Sequence, residues 1–425
     1  MSLENSNSPE GQLLLSLAMI VRDAARDLEQ CLATASLFVD EMVVVDTGST
    51  DGSREVAIDA GARLLETEWR DDFAQARNVS LAACSGRWIV VLDADEIVTP
   101  RDGGILRRWV LDHDRQPRPD GSAPLIGGEL ETRNYQQLAA GLRNWTKLPE
   151  PDPHALPDGA PAPGYVATCK VRLFPNHPGI QFEGCLHEMV DSSLLRLGGT
   201  ISRLEVPIHH FGLLTSTAEK TNRYLQLARR KTELEPSSAQ AWSELADSCQ
   251  NAGLADQALD AIDHALKLQP ENPAHRLKAG LLLHEAQQWQ AAEVQLSAVA
   301  SSPLVNDAQL AEAVHARALI ALRQGRPADA APGLSIALKL APEQGLYWNS
   351  LGAWHLLNKN GESARAALEK ALALLPGHPD PLLNLGLLYE AAGQPELATN
   401  YFERVLAVDA DNVEARRRLR SALHF

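Results

Sequence analysis

Trp88-Ile89-Val90-Val91-Leu92-Asp93-Ala94-Asp95-Glu96 opens on five apolar residues and closes on three acids around an alanine. The apolar run reads as a strand buried on both faces, as in a parallel sheet covered by helices. Residues two apart on a strand share a face. Asp93 and Asp95 are therefore expected to point the same way where the strand runs out, with Ala94 pointing back. Two adjacent carboxylates repel each other and need a cation, hydroxyl partners or a raised pKa. Oxygen ligands at a strand end suit Mg²⁺ or Mn²⁺. Such an ion usually carries phosphate, and open α/β sheets bind ligands at the carboxyl ends of their strands. A lone D-x-D reads as readily as a solvated acidic turn, so the flanking sequence has to decide.

Upstream, Leu13 to Val21 reads as a first buried strand, ended by Arg22 and Asp23, with a helical period from Ala24 to Leu37. Glu41 to Val45 reads as a second strand ending in Asp46. Thr47-Gly48-Ser49-Thr50-Asp51-Gly52-Ser53 follows as a loop into a helix through Ala60, with Asp51 or Ser53 as N-cap. Arg63 to Glu66 is a short third strand and Asp72 to Cys84 a helix. This alternation predicts a parallel sheet with helices on both faces. No G-x-G-x-x-G follows the first strand, which disfavours a dinucleotide site.

Four of these stretches together resemble family 2 glycosyltransferases of the GT-A fold. They are Ser16 to Asp23, Val43 to Asp51, Asp72-Phe73-Ala74-Gln75-Ala76-Arg77-Asn78, and Trp88 to Glu96. The resemblance implies a Rossmann-like nucleotide-diphospho-sugar transferase domain. It implies donor contacts from Val21, Arg22, Asp46, Gly48, Ser49, Arg77, Asn78, Asp93 and Ala94. Within that set Asp46 would hold the base or ribose, and Arg77 and Asn78 would lie near the nucleotide. Asp93 would face the ribose or sugar, and Asp95 the metal on the diphosphate.

Asp112 to Pro163 is less regular. Gly127 to Gln136 could hold a strand and Gly141 to Trp145 a short amphipathic element. The proline-dense run from Pro149 to Pro163 should be a loop, and one that long reads as a partly mobile lid. Arg143-Asn144-Trp145 would put a cation and an aromatic beside it. Lys170 to Pro175 reads as a strand, followed by Phe182 to Val190. Arg172-Leu173-Phe174 and His187-Glu188 resemble a subgroup that includes lipopolysaccharide-core and sublancin-type peptide glycosyltransferases. There the acceptor would bind, and inverting transfer needs a carboxylate to take its proton. Glu188 is the choice, with Asp191 and Glu183 as alternatives. In Ile208-His209-His210-Phe211-Gly212 the two histidines point to opposite sides of an extended stretch. The resemblance favours His210 as a metal ligand beside Asp95, and imidazole suits Mn²⁺ better than Mg²⁺.

Thr217 to Glu235 is helical in period, and from Pro236 the sequence repeats. Trp242, Leu245, Ala246, Gly253, Ala258, Ile262, Ala265 and Pro270 fall at tetratricopeptide-repeat spacings. Later units place Gly280, Ala318, Gly352 and Gly386 in one column, after shifts of about 34 residues. A short insertion near Ser301 to Asp307 is expected to loosen the second joint, and Val413 to Leu423 reads as a capping helix.

The expected organisation is a disordered tail (1–10), a transferase domain (11–213), a linker helix (214–238) and an all-α repeat solenoid (239–425). A net charge of −16 argues against a general nucleic-acid binder. Five cysteines without C-x-x-C spacing suggest a reducing, cytoplasmic setting, and Leu13 to Val21 is too short to span a membrane. The chain reads as a metal-dependent inverting transferase using a nucleotide-diphosphate sugar, with a peptide or protein acceptor recruited by the repeats. Two rivals stay open. One is transfer to a lipopolysaccharide-core or other glycan, with the repeats making a homo-oligomer. The other is a scaffold whose transferase domain is inactive.

Overall fold

In a computed structural model the residues described are 13–115, 124–136, 145–156, 159, 162–184, 188–212 and 218–422. They fall into two compact units. The first runs to Gly212, less Trp145–Lys147, which goes with the repeats from Ala218 onward.

The first unit is built from β1 (Leu15–Val21), α1 (Ala25–Ala35), β2 (Glu41–Asp46), α2 (Ser53–Asp59), β3 (Arg63–Glu66), α3 (Phe73–Ala83), β4 (Trp88–Val91), β5 (Glu96–Ile97), α4 (Pro100–Asp114) and β6 (Ile126–Tyr135). After β7 (Trp145–Lys147) of the second unit, it continues with β8 (Gly164–Pro175), α5 (Asp191–Arg196) and β9 (Thr200–His210). Eight strands lie in the order β3-β2-β1-β4-β8-β6-β9-β5. The first four pair in parallel, as expected. Beyond β4 the sheet is mixed: β8 runs antiparallel to both β4 and β6, β9 lies parallel to β6, and β5 antiparallel to β9.

Both faces of the parallel half are covered. Leu15, Leu17, Met19 and Val21 alternate along β1 and pack with Leu28 and Leu32 of α1 and Leu106 and Val110 of α4. Ala18, Val43, Ile89 and Val91 point the other way, onto Ala74 and Leu81 of α3. Helix α4 goes unannounced by the sequence because Gly103 and Gly104 depress its helix propensity. Gly103 has a packing reason: a Cβ there would lie 2.3 Å from the Phe38 ring. Thr99 caps the helix by accepting from the Asp102 N–H, with Pro100 in the first turn. At α2 the N-cap is Gly52, and Asp51 serves it from one residue earlier by accepting from the Ser53 N–H (2.9 Å).

The described part of the proline-rich segment is anchored. Asp152 takes a 2.7 Å bond from Arg133, His154 meets Asp102 at 2.8 Å, and Leu148 and Leu156 pack with Tyr135 and Tyr165. Arg143, Asn144 and the rest of the expected element from Gly141 lie outside the described residues.

The second unit holds α6 (Ala218–Leu234), α7 (Ala239–Asn251), α8 (Ala255–Leu268), α9 (Pro273–Glu285), α10 (Trp289–Ala300), α11 (Asp307–Arg323), α12 (Pro327–Leu340), α13 (Gly345–Leu357), α14 (Gly361–Leu374), α15 (Pro379–Ala391), α16 (Pro395–Val408) and α17 (Val413–Ala422). From α7 to α16 each helix packs on its successor, and the small residues of the repeat explain how closely. A Cβ on Gly280 would lie 2.6 Å from Leu296, on Gly352 2.5 Å from Leu368, and on Gly386 2.5 Å from Phe402. Helix α6 joins the array against α7 through a buried Lys231–Glu244 ion pair at 2.7 Å. The insertion before α11 is fastened, not loose: Asn306 and Gln309 form a capping box and Val305 packs into the core. Among the described residues no helix is long and apolar enough to cross a membrane.

Candidate active site

Strand β4 ends at Val91, two residues before the acids, so Asp93 and Asp95 sit in a turn and diverge instead of sharing a face. Glu96 closes this turn: its carboxylate accepts from the Asp93 N–H (2.8 Å) and its own N–H donates to the Asp93 carbonyl (3.0 Å). Ala94 is buried beneath.

Each acid then finds its own cation. Arg77 on α3 donates from Nη2 to Asp93 Oδ1 (2.6 Å) and from Nε to Glu188 Oε1 (2.5 Å). Arg172 on β8 donates to Glu96 Oε1 (2.6 Å) and lies 3.9 Å from Asp93 Oδ2. The result is a chain of alternating charge, Glu188–Arg77–Asp93–Arg172–Glu96, with both arginines buried. Burial disfavours the charge on Asp93, but Arg77 and Arg172 outweigh it and hold the carboxyl well below its ordinary range. Burial pushes Glu96 up, opposed by Arg172 and aided by Asp93.

Asp95 turns to β9. Its Oδ2 lies 3.4 Å from His210 Nε2, and its carbonyl accepts from the Phe211 N–H (3.1 Å). His210 Nδ1 meets Asn134 Oδ1 at 2.7 Å, which leaves Nε2 toward Asp95. Burial works against a charged His210, yet the Asp95 carboxylate raises its pKa. Gly212 leaves the space open: a Cβ there would lie 2.1 Å from Asp95 Oδ2 and 2.7 Å from His210 Nε2. One carboxylate and one imidazole across a gap bounded by a glycine suit a divalent ion that takes its other ligands from diphosphate and water. No cluster of three or more protein ligands occurs among the described residues. His209 faces the other way. It is buried against the Tyr135 hydroxyl at 2.8 Å, and burial pulls its pKa down to about 4.

The remaining expected residues divide by accessibility. Asp46 is fully covered. Its carboxylate accepts from Gly48 N–H (3.0 Å), Ser49 N–H (3.1 Å) and Arg54 Nε (2.9 Å), so it shapes the loop after β2. Gly48 adopts φ 101°, a conformation that favours glycine. Ser49 Oγ accepts from the Asp23 N–H, and Thr50 donates back to Asp23, tying this loop to the Val21-Arg22 strand end. Arg22 is exposed and Val21 buried. Asn78 is spent on the chain itself: its amide donates to the Phe182 carbonyl (3.0 Å) and accepts from the Phe182 N–H (2.8 Å). Asp191 opens α5, half-buried, with its pKa raised by burial and then by Glu129. Glu183 is exposed and paired with Arg196. His187 lies outside the described residues.

Arg172, Asn134 and Gly212 take part without having been assigned roles from the sequence. For Arg172 a signal existed: a cation between Val171 and Leu173 on an apolar strand demands a buried acid.

Residues 16–125 match a family model described as glycosyl transferase family 2, and residues 244–304 and 343–411 match tetratricopeptide repeat models. A TPR repeat-containing protein of Synechococcus elongatus is 38% identical over 183 residues, covering 43% of this chain and 37% of that protein. The SPbeta prophage-derived glycosyltransferase SunS of Bacillus subtilis is 24% identical over 103 residues, 24% of each chain. The solved APC/C hetero-tetramer Cut9-Hcn1 aligns over 48% of this chain and 40% of that one, at 20% identity and a TM-score of 0.44. The chain thus spans well under half the length of these curated relatives. It carries a family 2 glycosyltransferase domain followed by tetratricopeptide repeats.

Proposed function

We propose that this protein is a metal-dependent, inverting glycosyltransferase that moves a sugar from a nucleotide-diphosphate donor to a polypeptide acceptor recruited by its repeats. The observation that carries the reading is the Asp93–Glu96 turn, with Asp95 facing His210 on one side and Asp93 joined through Arg77 to Glu188 on the other. The match of residues 16–125 to family 2 glycosyltransferases supports the same chemistry.

Asp95 and His210 would hold Mn²⁺ or Mg²⁺, whose charge offsets that developing on the departing diphosphate. Asp93 orients the ribose or sugar at the turn. Glu188, held in place by the Arg77 guanidinium, takes the proton of the acceptor hydroxyl or thiol. The acceptor atom bonds to the anomeric carbon from the face opposite the breaking bond to the phosphate oxygen, which inverts that centre. The repeats raise the local concentration of a polypeptide acceptor, which tethering brings to roughly millimolar.

The test is release of nucleoside diphosphate from a panel of UDP- and GDP-hexoses, with and without Mn²⁺, alongside thermal shift. A donor that is hydrolysed only with the ion, and that raises the melting temperature by mass action, is the expected result. No binding and no release across the panel would remove the reading.

A further inference from the structure

We infer that the pair Arg77-Asn78 positions Phe182 and Glu188 on the acceptor side for catalysis, and that its role is not contact with the nucleotide. This rests on the transfer reading, with Glu188 as the carboxylate that takes the proton.

The geometry is specific. Glu183 and Met189 pair through two backbone bonds (3.0 and 3.2 Å). Neighbouring residues of α3 hold Phe182 and Glu188 beside that pair. Asn78 grips the backbone of Phe182 through both ends of its amide. Arg77 lies over the Phe182 ring, 5.4 Å from its centroid, and donates to Glu188.

The arginine serves the two acids unequally. Asp93 has a second cation in Arg172 and a second anchor in the turn that Glu96 closes. Glu188 has Arg77 alone among the described residues. Arg77 Nη1, meanwhile, is buried without a hydrogen-bond partner. The guanidinium therefore sits where its Nε and Nη2 reach acids on two different elements, at the expense of its third nitrogen. Loosening it should free Glu188 first and leave Asp93 in place. A planar fork can bridge two carboxylates in this way, whereas an ammonium on a flexible stem cannot hold both at fixed angles.

The experiment uses the full chain and the nucleotide hexose from the panel that raises the melting temperature most with Mn²⁺. Water stands in for the acceptor, and nucleoside diphosphate release is the readout. Arg77→Lys, Glu188→Gln and the double variant are compared, with donor Kd and melting temperature measured for each. The expectation is a tenfold or greater fall in kcat for Arg77→Lys, with donor Kd within threefold of the parent. Because Arg77 acts through Glu188, Arg77→Lys should then change the Glu188→Gln rate by less than threefold. Asn78→Ala, which leaves both ion pairs intact, should also lower kcat without moving donor Kd. It keeps the question answerable if Arg77→Lys folds poorly.

A tenfold weakening of donor binding in either variant would overturn the inference, because the pair would then belong to the donor site. So would an equal rate loss with and without Glu188, or turnover by both variants at the parent rate. Full activity in Glu188→Gln alone is a different failure, since it would strike the transfer reading beneath.

Discussion

Gly212→Ala isolates the Asp95–His210 gap with a single methyl group. The backbone is indifferent to the change, because Gly212 is not among the glycines with positive φ. The side chain is not. Its Cβ would lie 2.1 Å from Asp95 Oδ2 and 2.7 Å from His210 Nε2. Ordinary contact begins near 3.4 Å, so the carboxylate must retreat by about 1.3 Å or the imidazole must swing away. A displacement near 1 Å in a reacting site costs on the order of 100-fold in rate. Crowding a packed site costs about 1–3 kcal/mol of stability, which corresponds to roughly 2–10 °C in a domain of this size. The assay is nucleotide-sugar hydrolysis titrated with Mn²⁺, with melting curves in parallel. kcat/KM should fall about 100-fold, and half-maximal activity should need more Mn²⁺. Gly104→Ala is the control: nothing lies within 4 Å of its Cβ, and within a helix it should be neutral or stabilising. Parental kcat/KM and metal dependence in Gly212→Ala would refute the assignment of this gap to the ion and diphosphate.

Three further outcomes are expected. His210→Ala should raise the Mn²⁺ requirement with little loss of stability. His209→Ala should do the reverse, because it removes the buried partner of the Tyr135 hydroxyl; hydrolysis and melting curves of both variants decide this. Burial pushes Tyr135 up to about 12, more than Arg133 pulls it down, from an ordinary value near 10. The folded state thus favours the protonated phenol, whose stabilisation is complete below pH 10 and is lost as pH rises toward 12, by roughly 3 kcal/mol in all. The fall in melting temperature over that range should be shallower in Tyr135→Phe. In the repeats, Gly386→Ala should cost about 1–3 kcal/mol because its Cβ meets the Phe402 ring. Circular dichroism should show that loss, and hydrolysis of the donor should not change.

The legible parts of the fold are those set by local pattern. Arg63–Glu66 and the alternation along β1 stand out because their apolar spacing is also their packing. The repeat array stands out because Gly280, Gly352 and Gly386 recur where helices touch. Helix α4 escaped because Gly103 answers to Phe38, a residue far away in sequence. The antiparallel half of the sheet is legible in pieces: Gly127 to Gln136 and Lys170 to Pro175 read as strands and are strands, but the first half of β8 carries Thr168 and Cys169, and only pairing with β6 makes it one. The site shows the same division. Asp95 and His210, which the resemblance pairs as metal ligands, stand 3.4 Å apart. The burial of Asp46, the diversion of Asn78 to Phe182 and the fastening of Glu188 by Arg77 are matters of tertiary contact, which spacing does not encode.

The pairing of β5 with β9 sets a timetable for the ribosome. Strands β1 to β4 emerge early and pair in parallel among themselves, so half of the sheet can form while the rest is still being made. The Asp93–Glu96 turn emerges with that half, but Arg172 comes only with β8, and His210 with the last residues of β9. At about 5–20 residues per second, the nascent domain carries three crowded acids for several seconds with Arg77 as the one early cation paired with them among the described residues. Closure of the final strand is thus the step that brings His210 to Asp95 and would complete the proposed ion site. A chain stalled before β9 would have a sheet but no site, and capture of Mn²⁺ would report that the domain had finished folding.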